Sequence, residues 1–399
     1  MLIELILFLL VGIAFGTITG LIPGIHINLI GATLVSLSFS LFYKISPIYL
    51  VVFITSMSIT HTFLDFIPSI FLGCPDTDTE LSILPGHQLL KQGQGYQAIL
   101  LTSYGSLAAI LILTLITLPI LYIINILPIT YATFQKFIPL FLILISFILI
   151  FLENKKFPAT LVFVLTGILG LSVLNLENLN QPLFPLLTGL FGSSMILTSI
   201  KNKTEIAEQI IKKPKISLMH PLLGSIIASP ICSFLPGLGS GQAAIIGNTI
   251  LRKNDKKGFL VLLGATNTLV MGFSFISLYL ISRTRTGAAL AIKEIFPQIS
   301  FSILMLIIIT ALITGLISFK LTNHLAEFFT KQIHKINYTK ISIATLSLLL
   351  FLVFLVSDFL GLIILIISTL TGLYCISLGV RRTNMMGCLL IPVILFYLF

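Results

Sequence analysis

The chain has very little charge. Only 9% of its 399 residues are Asp, Glu, Lys or Arg, and its mean hydropathy is +1.12. That composition excludes a soluble domain of this length, and no stretch is long and polar enough to form a separate one. Cysteine is scarce as well. Cys74, Cys232, Cys375 and Cys388 are scattered, with no pair at metal-ligand spacing, so they read as small apolar packing residues. The first apolar run, 2–22, has no basic leader and no small-residue cleavage site, and it carries Glu4. It is therefore expected to remain as a helix, not to leave as a signal peptide. Catalytic signatures are also missing: there is no His-Glu-x-x-His, no Gly-x-Ser-x-Gly and no second intramembrane aspartate to partner Asp65. These absences weigh against an intramembrane enzyme acting on lipid or peptide, and no catalytic residue, metal site or cofactor is assigned.

What the chain has is apolar runs near the length of a bilayer crossing, from end to end. Fourteen are counted, at 2–22, 25–43, 46–72, 97–127, 137–152, 158–174 and 182–200, then 218–235, 238–251, 258–281, 299–319, 341–356, 359–378 and 385–399. Some are short enough to enter and leave on one side. The expected fold is an all-α integral membrane protein of about 12–14 hydrophobic segments. If the amino terminus is outside and every segment crosses, the cytoplasmic loops hold 18 of the 23 Lys and Arg residues. The net charge of +10 thus reads as membrane orientation, not nucleic-acid binding. A multi-pass protein of the cell membrane is expected.

The two halves match each other in four places. Residues 20–28 read Gly-Leu-Ile-Pro-Gly-Ile-His-Ile-Asn, and residues 233–241 read Ser-Phe-Leu-Pro-Gly-Leu-Gly-Ser-Gly. Small residues at a spacing of four lead into each motif: Gly12, Gly16 and Gly20, then Ser225, Ser229 and Ser233. Thr60-His61-Thr62 corresponds to Thr266-Asn267-Thr268, and Asp76-Thr77-Asp78-Thr79 to Arg283-Thr284-Arg285-Thr286. Seven segments per half is an odd number, so the repeats 1–205 and 206–399 are expected to have inverted topology, each with a Pro-Gly broken or re-entrant helix.

Proline stops a helix, and glycine lets a ligand approach the backbone. Non-helical backbone survives in a membrane only against protein or a water-filled cavity. A helix restarting after Pro23-Gly24 or Pro236-Gly237 would point free N–H groups and its positive dipole end into that cavity, which suits a carboxylate. A proline kink with close packing explains one such motif equally well; two at matching positions favour a broken-helix site. The small-residue ladders read as packing faces. Candidate substrate-binding residues are Pro23, Gly24, His26, Asn28 and His61 in the first half. In the second they are Pro236, Gly237, Gly239, Ser240, Gln242 and Asn267, with Asn248 nearby. Asp65 stands in an apolar run where a charge costs roughly 2.5–3.5 kcal/mol, so it is either a coupling site for Na⁺ or H⁺ or a paired aspartate near the interface. Asp358, between two runs, is expected at the surface.

The motif Pro236-Gly237-Leu238-Gly239, its counterpart Pro23-Gly24-Ile25-His26, and the stretch from Gly73-Cys74-Pro75 through Leu84-Pro85-Gly86-His87 to Gly93 and Gly95 resemble the large membrane subunit of the tripartite tricarboxylate transporters, the TctA family. The chain is similar to a divergent, archaeal-type member in which His26 replaces a glycine of the first motif. The resemblance implies a permease for small organic anions, tri- or dicarboxylates, driven by a Na⁺ or H⁺ gradient through alternating access. It also implies a small membrane subunit and an extracytoplasmic binding protein as partners. A passive channel is the other transport reading; duplicated breaks within one chain argue against it, since pores favour symmetric rings from several subunits.

Overall fold

The computed structural model describes residues 2–22, 45–73, 79–126, 138–151, 153–177, 179–201, 207–215, 217–234, 239–251, 255–284, 286–333 and 338–398. Among these the chain is predominantly helical, with no strand. Among the described residues, seven helices are long and apolar enough to cross a membrane, at Leu2–Leu21, Pro47–Leu72, Gly95–Ile123, Lys156–Leu174, Lys256–Ile281, Phe301–Gln332 and Ser342–Ser377. Four shorter apolar helices accompany them. The protein is thus an all-α, multi-pass membrane protein, as its composition requires. Outward-facing side chains such as Leu2, Ile3, Leu115, Phe147 and Leu370 are exposed apolar groups of the kind lipid covers.

Burial sorts the spans. Pro47–Leu72 and Lys256–Ile281 are each 94% buried, against 22–44% for the other five, so these two are enclosed by protein instead of lipid. They carry the polar residues. Helix α1 (Leu2–Leu21) lies along α2 (Pro47–Leu64) through its glycine ladder. A Cβ on Gly12 would strike Phe53 and Ser56, one on Gly16 Met57 and Thr60, and one on Gly20 Leu64. The contacts advance together along both helices, so α1 and α2 run parallel. The second half repeats the arrangement with α3 (Met219–Phe234), α4 (Ser240–Leu251) and α5 (Lys256–Ile281). Gly224 of α3 meets Leu262 of α5, and Ser233 Oγ lies 3.4 Å from the Val270 carbonyl, so these two are also parallel. Helix α4 returns between them, with Gly224 packed against Gly247.

Two more helices complete this group. Helix α6 (Gly95–Ile126) runs parallel to α5, with Gly264 against Thr102, Gly105 against Val261 and Gly272 against Leu113. Helix α7 (Phe301–Ile333) runs antiparallel to α6, since Ser103 bonds Asn323, the Tyr104 ring lies tilted against Phe319 and Gly315 meets Ile110. A second group joins α8 (Ile138–Phe151), α9 (Lys156–Leu174), α10 (Tyr338–Ser377) and α11 (Gly387–Leu398), together with the short helices spanning 183–201. Here Gly167 and Gly170 receive Ile391 and Cys388, and Gly372 receives Leu190 and Ser194. Each group draws helices from both halves of the chain.

Three details differ from the sequence-based expectation. The apolar run 46–72 turns at Asp65, which separates α2 from a following short helix, Phe66–Leu72. The run at 299–319 continues as helix to Ile333, because Lys320 to Gln332 contains no glycine or proline and Lys331 pairs with Glu327 one turn earlier. The runs 341–356 and 359–378 meet at Asp358, whose φ of 53° breaks the helix; as expected, Asp358 is exposed. Cys232, Cys375 and Cys388 are buried and form no disulfide, in keeping with packing roles.

One buried histidine sits in a connector between spans. His87, in the short helix Ile83–Lys91, is 2% exposed, and its Nδ1 donates to the Ile70 carbonyl at 2.8 Å. Gly73, at φ +71°, leaves room for the ring: a Cβ there would lie 2.9 Å from Nε2. Burial holds the His87 pKa down to about 4, from an ordinary 6.5. The folded state keeps the neutral ring, whereas the unfolded chain takes up a proton first as pH falls. Stability is therefore expected to decline from pH about 6.5 to about 4, by up to roughly 3 kcal/mol. Melting the detergent-purified protein across this range checks it; His87→Asn should melt lower at neutral pH but lose less on acidification.

Candidate functional site

The two enclosed helices, α2 and α5, cross where their matching sequences lie. Thr62 Oγ1 and Thr268 Oγ1 are 3.2 Å apart, so the corresponding threonines of the two halves touch each other. Beside them Asn267 Nδ2 donates to Asp65 Oδ2 at 2.7 Å, and it lies 3.5 Å from the Thr62 carbonyl. Asp65 is 3% exposed and Asn267 3%. The turn that carries Asp65 is closed by its own N–H to the His61 carbonyl and by Ser69 Oγ donating to the Asp65 carbonyl at 2.8 Å. A carboxylate this deep requires polar company, and the second half of the chain supplies it.

The rest of the crossing is hydroxyl-rich. Thr60 Oγ1 accepts from Ser318 Oγ of α7 at 3.0 Å. His61, 4% exposed, has Nδ1 3.1 Å from Thr19 Oγ1 of α1. Several hydroxyls, including Thr62 and Thr266, also bond carbonyls one turn back, which satisfies them inside apolar helices.

The helices that precede the two Pro-Gly motifs pass beside this crossing. Gly20 sits against Leu64 and the Asp65 N–H, and Pro23 follows three residues later. Ser233 sits at Val270, and Pro236 again follows three residues later. The motif residues Pro23, Gly24, His26, Asn28, Pro236 and Gly237 lie outside the described residues. Beyond the second motif, Gly239 N donates to Gln242 Oε1 at 2.7 Å, so the glutamine caps the start of α4. Gln242 is 3% exposed, and its Nε2 has no hydrogen-bond partner among the described residues. Ser240 is buried on the same first turn. Gln242 also reaches an apolar crevice between the two helix groups, shared with Leu142, Ile145, Leu149 and Leu390.

Of the sequence-predicted residues, the structure brings Asp65 and Asn267 into contact and places His61 one turn before Asp65. It puts Gln242 on the first turn of the helix that follows the second break. Sequence reasoning did not foresee Thr19, Thr62, Thr268 and Ser318 as members of the crossing, although Thr62 and Thr268 belong to the matched triplets. No group of three or more His, Cys, Asp or Glu that could hold a metal occurs among the described residues.

The model of the tripartite tricarboxylate transporter TctA family matches residues 6–387. This chain belongs to the TctA family. It is also 34% identical over 404 residues to the uncharacterized protein MJ1079 of Methanocaldococcus jannaschii, covering 98% of this chain and 99% of that one. No solved structure matches. Membership makes this TctA protein a component of a tricarboxylate transporter, within a family of transporters and not of enzymes, and within a type of system that has further subunits.

Proposed function

We propose that this protein is a secondary active carrier for small carboxylates, tri- or dicarboxylates, that works by alternating access around the crossing of α2 and α5. One observation carries the reading: Asp65 from one half is hydrogen-bonded to Asn267 from the other, in the two spans that protein encloses most completely. Inverted repeats would place matching residues beside one another near a two-fold axis in the membrane plane, and the Thr62–Thr268 contact fits that arrangement. So do the opposed directions of α6 and α7, which occupy matching places in the two halves.

In this reading the two Pro-Gly breaks present backbone N–H groups to the substrate carboxylates. Gln242 Nε2 and Asn28 add polar recognition, and His26, His61 and Ser240 line the approach. Asp65 takes the coupling Na⁺ or H⁺, and Asn267 senses whether the carboxylate is charged. The carrier sits in the cell membrane with its amino terminus outside. It works with a small membrane subunit and an extracytoplasmic binding protein, or alone.

The test is Gly237→Val, which would fill the backbone approach of the second break. Reconstituted variant of normal melting behaviour is expected to lose carboxylate uptake by roughly a hundredfold, in line with loss of one well-placed charged contact. Uptake at the wild-type rate by the folded variant would remove the second break from the site.

A further inference from the structure

Away from the crossing, an open crevice of about 650 Å³ lies between the loop entering α9 and the loop entering α11. It is lined by Glu153, Asn154, Gly379, Arg381 and Arg382, with Ile376 and Val380 as its apolar wall. The one carboxylate among its described lining residues is already used. Glu153 Oε1 accepts from Arg381 Nε at 2.5 Å, from Arg381 N at 3.3 Å and from Asn384 Nδ2 at 3.1 Å.

Two cations, Arg382 in the lining and Lys155 beside it, have no carboxylate partner among the described residues. Arg382 is half-buried, yet its guanidinium reaches only the Phe191 carbonyl at 3.5 Å and Met195 Sδ at 3.0 Å. Lys155 Nζ reaches only the Leu378 carbonyl, at 3.3 Å, beside Gly379. A guanidinium has five donors, and a partly desolvated one without an anion is costly. The crevice therefore has an excess of positive charge, with Arg382 in its wall and Lys155 Nζ next to the lining residue Gly379, around a space large enough for a headgroup.

The surroundings say which anion. Phe151 and Phe157 flank the loop at 59% and 81% exposed, and Tyr374 of α10 is 48% exposed. Lys156 Nζ lies 4.3 Å from the centre of the Phe151 ring. Aromatic rings and lysines exposed together at the ends of apolar helices mark the lipid–water interface. The far end of α9 and the break within α10 at Asp358, where Ser357 Oγ donates to the Asn180 carbonyl, carry Glu177 and Asp358 and no Lys or Arg among the described residues. Around the crevice, basic residues thus collect at the Lys155–Lys156 end of α9 and the Arg381–Arg382 loop after α10, the side that the Lys and Arg distribution assigns to the cytoplasm. Anionic lipid is concentrated in that leaflet.

We propose that this crevice binds the phosphate of an anionic phospholipid, with Arg382 and Lys155 as its ligands and Glu153–Arg381 as the wall that holds them. The lipid would tie α9 to the α10–α11 loop and so brace the second helix group.

The test is thermal unfolding of the purified chain in detergent, with added phosphatidylglycerol, phosphatidylcholine or inorganic phosphate. Phosphatidylglycerol is expected to raise the midpoint by several degrees and phosphatidylcholine to leave it unchanged. Lys155→Gln, at an exposed position, should weaken the apparent phosphatidylglycerol affinity roughly tenfold, as should Arg382→Gln where it folds. Lys212→Gln, on an exposed segment elsewhere, should not. An equal rise with inorganic phosphate alone would make the ligand a free anion and overturn the lipid assignment. No rise with phosphatidylglycerol, or an equal loss in Lys212→Gln, would overturn the site.

Discussion

Asp65→Asn is expected to abolish gradient-driven uptake while leaving the protein folded. The substitution keeps an oxygen that can accept from Asn267 Nδ2, now at 2.7 Å from Asp65 Oδ2, and keeps the volume of a side chain that is 3% exposed. It removes only the charge that a coupling ion would neutralise. Losing one partner of a buried charged contact costs about 3 kcal/mol, so uptake should fall by at least roughly a hundredfold. Substrate binding measured without a gradient should change far less, because the proposed carboxylate-binding groups at the two Pro-Gly motifs are untouched. Radiolabelled carboxylate uptake into proteoliposomes, alongside ligand-induced stabilisation of the same preparation, separates the two. Gradient-driven uptake at the wild-type rate by folded Asp65→Asn would contradict the coupling role.

A second large effect is expected at the contact of α5 and α6. A Cβ on Gly264 would strike the Thr102 carbonyl oxygen, and one on Gly105 would strike that of Val261. Both obstacles are backbone, so no side chain can swing aside. Ser106 Oγ also donates to the Gly264 carbonyl at 3.0 Å, a bond that depends on this close approach. Gly264→Ala should cost about 1–3 kcal/mol, read as a lowered unfolding midpoint. Gly264→Leu should yield no monodisperse protein on size-exclusion chromatography. The two helices belong to different halves of the chain, so separation here would also release the Asp65–Asn267 contact. A monodisperse Gly264→Leu protein with wild-type melting would show that this approach is not required.

Much of this was legible in the sequence, for reasons that can be named. Spanning segments follow from hydropathy alone. The ladder Gly12, Gly16 and Gly20 could be read as a packing face because a spacing of four keeps residues on one side of a helix, and its contacts with Phe53, Met57 and Leu64 are of that kind. Asp358 could be read as a break because it interrupts two apolar runs. The matched triplets around His61 and Asn267 pointed to the crossing without showing its bonds.

What was not legible depends on long-range geometry. Asp65 and Asn267 are 202 residues apart, and only the fold says that they meet. Gln242 read as a recognition residue from its place after Pro236-Gly237; that its Oε1 caps a helix start shows only once Gly239 N is seen beside it. His87 lay in a polar stretch, and nothing local announces that its ring is buried under Gly73. The division into two helix groups, each using both halves, leaves no trace in local periodicity, because any apolar helix face serves equally against lipid or protein.

The most direct test of the account is uptake of radiolabelled citrate and other small carboxylates into proteoliposomes of the purified chain, alone and with candidate partner subunits, under imposed Na⁺ or H⁺ gradients. The account predicts saturable uptake that needs one of these gradients and collapses when an ionophore dissipates it. Non-saturating flux that ignores both gradients would contradict it and favour a channel.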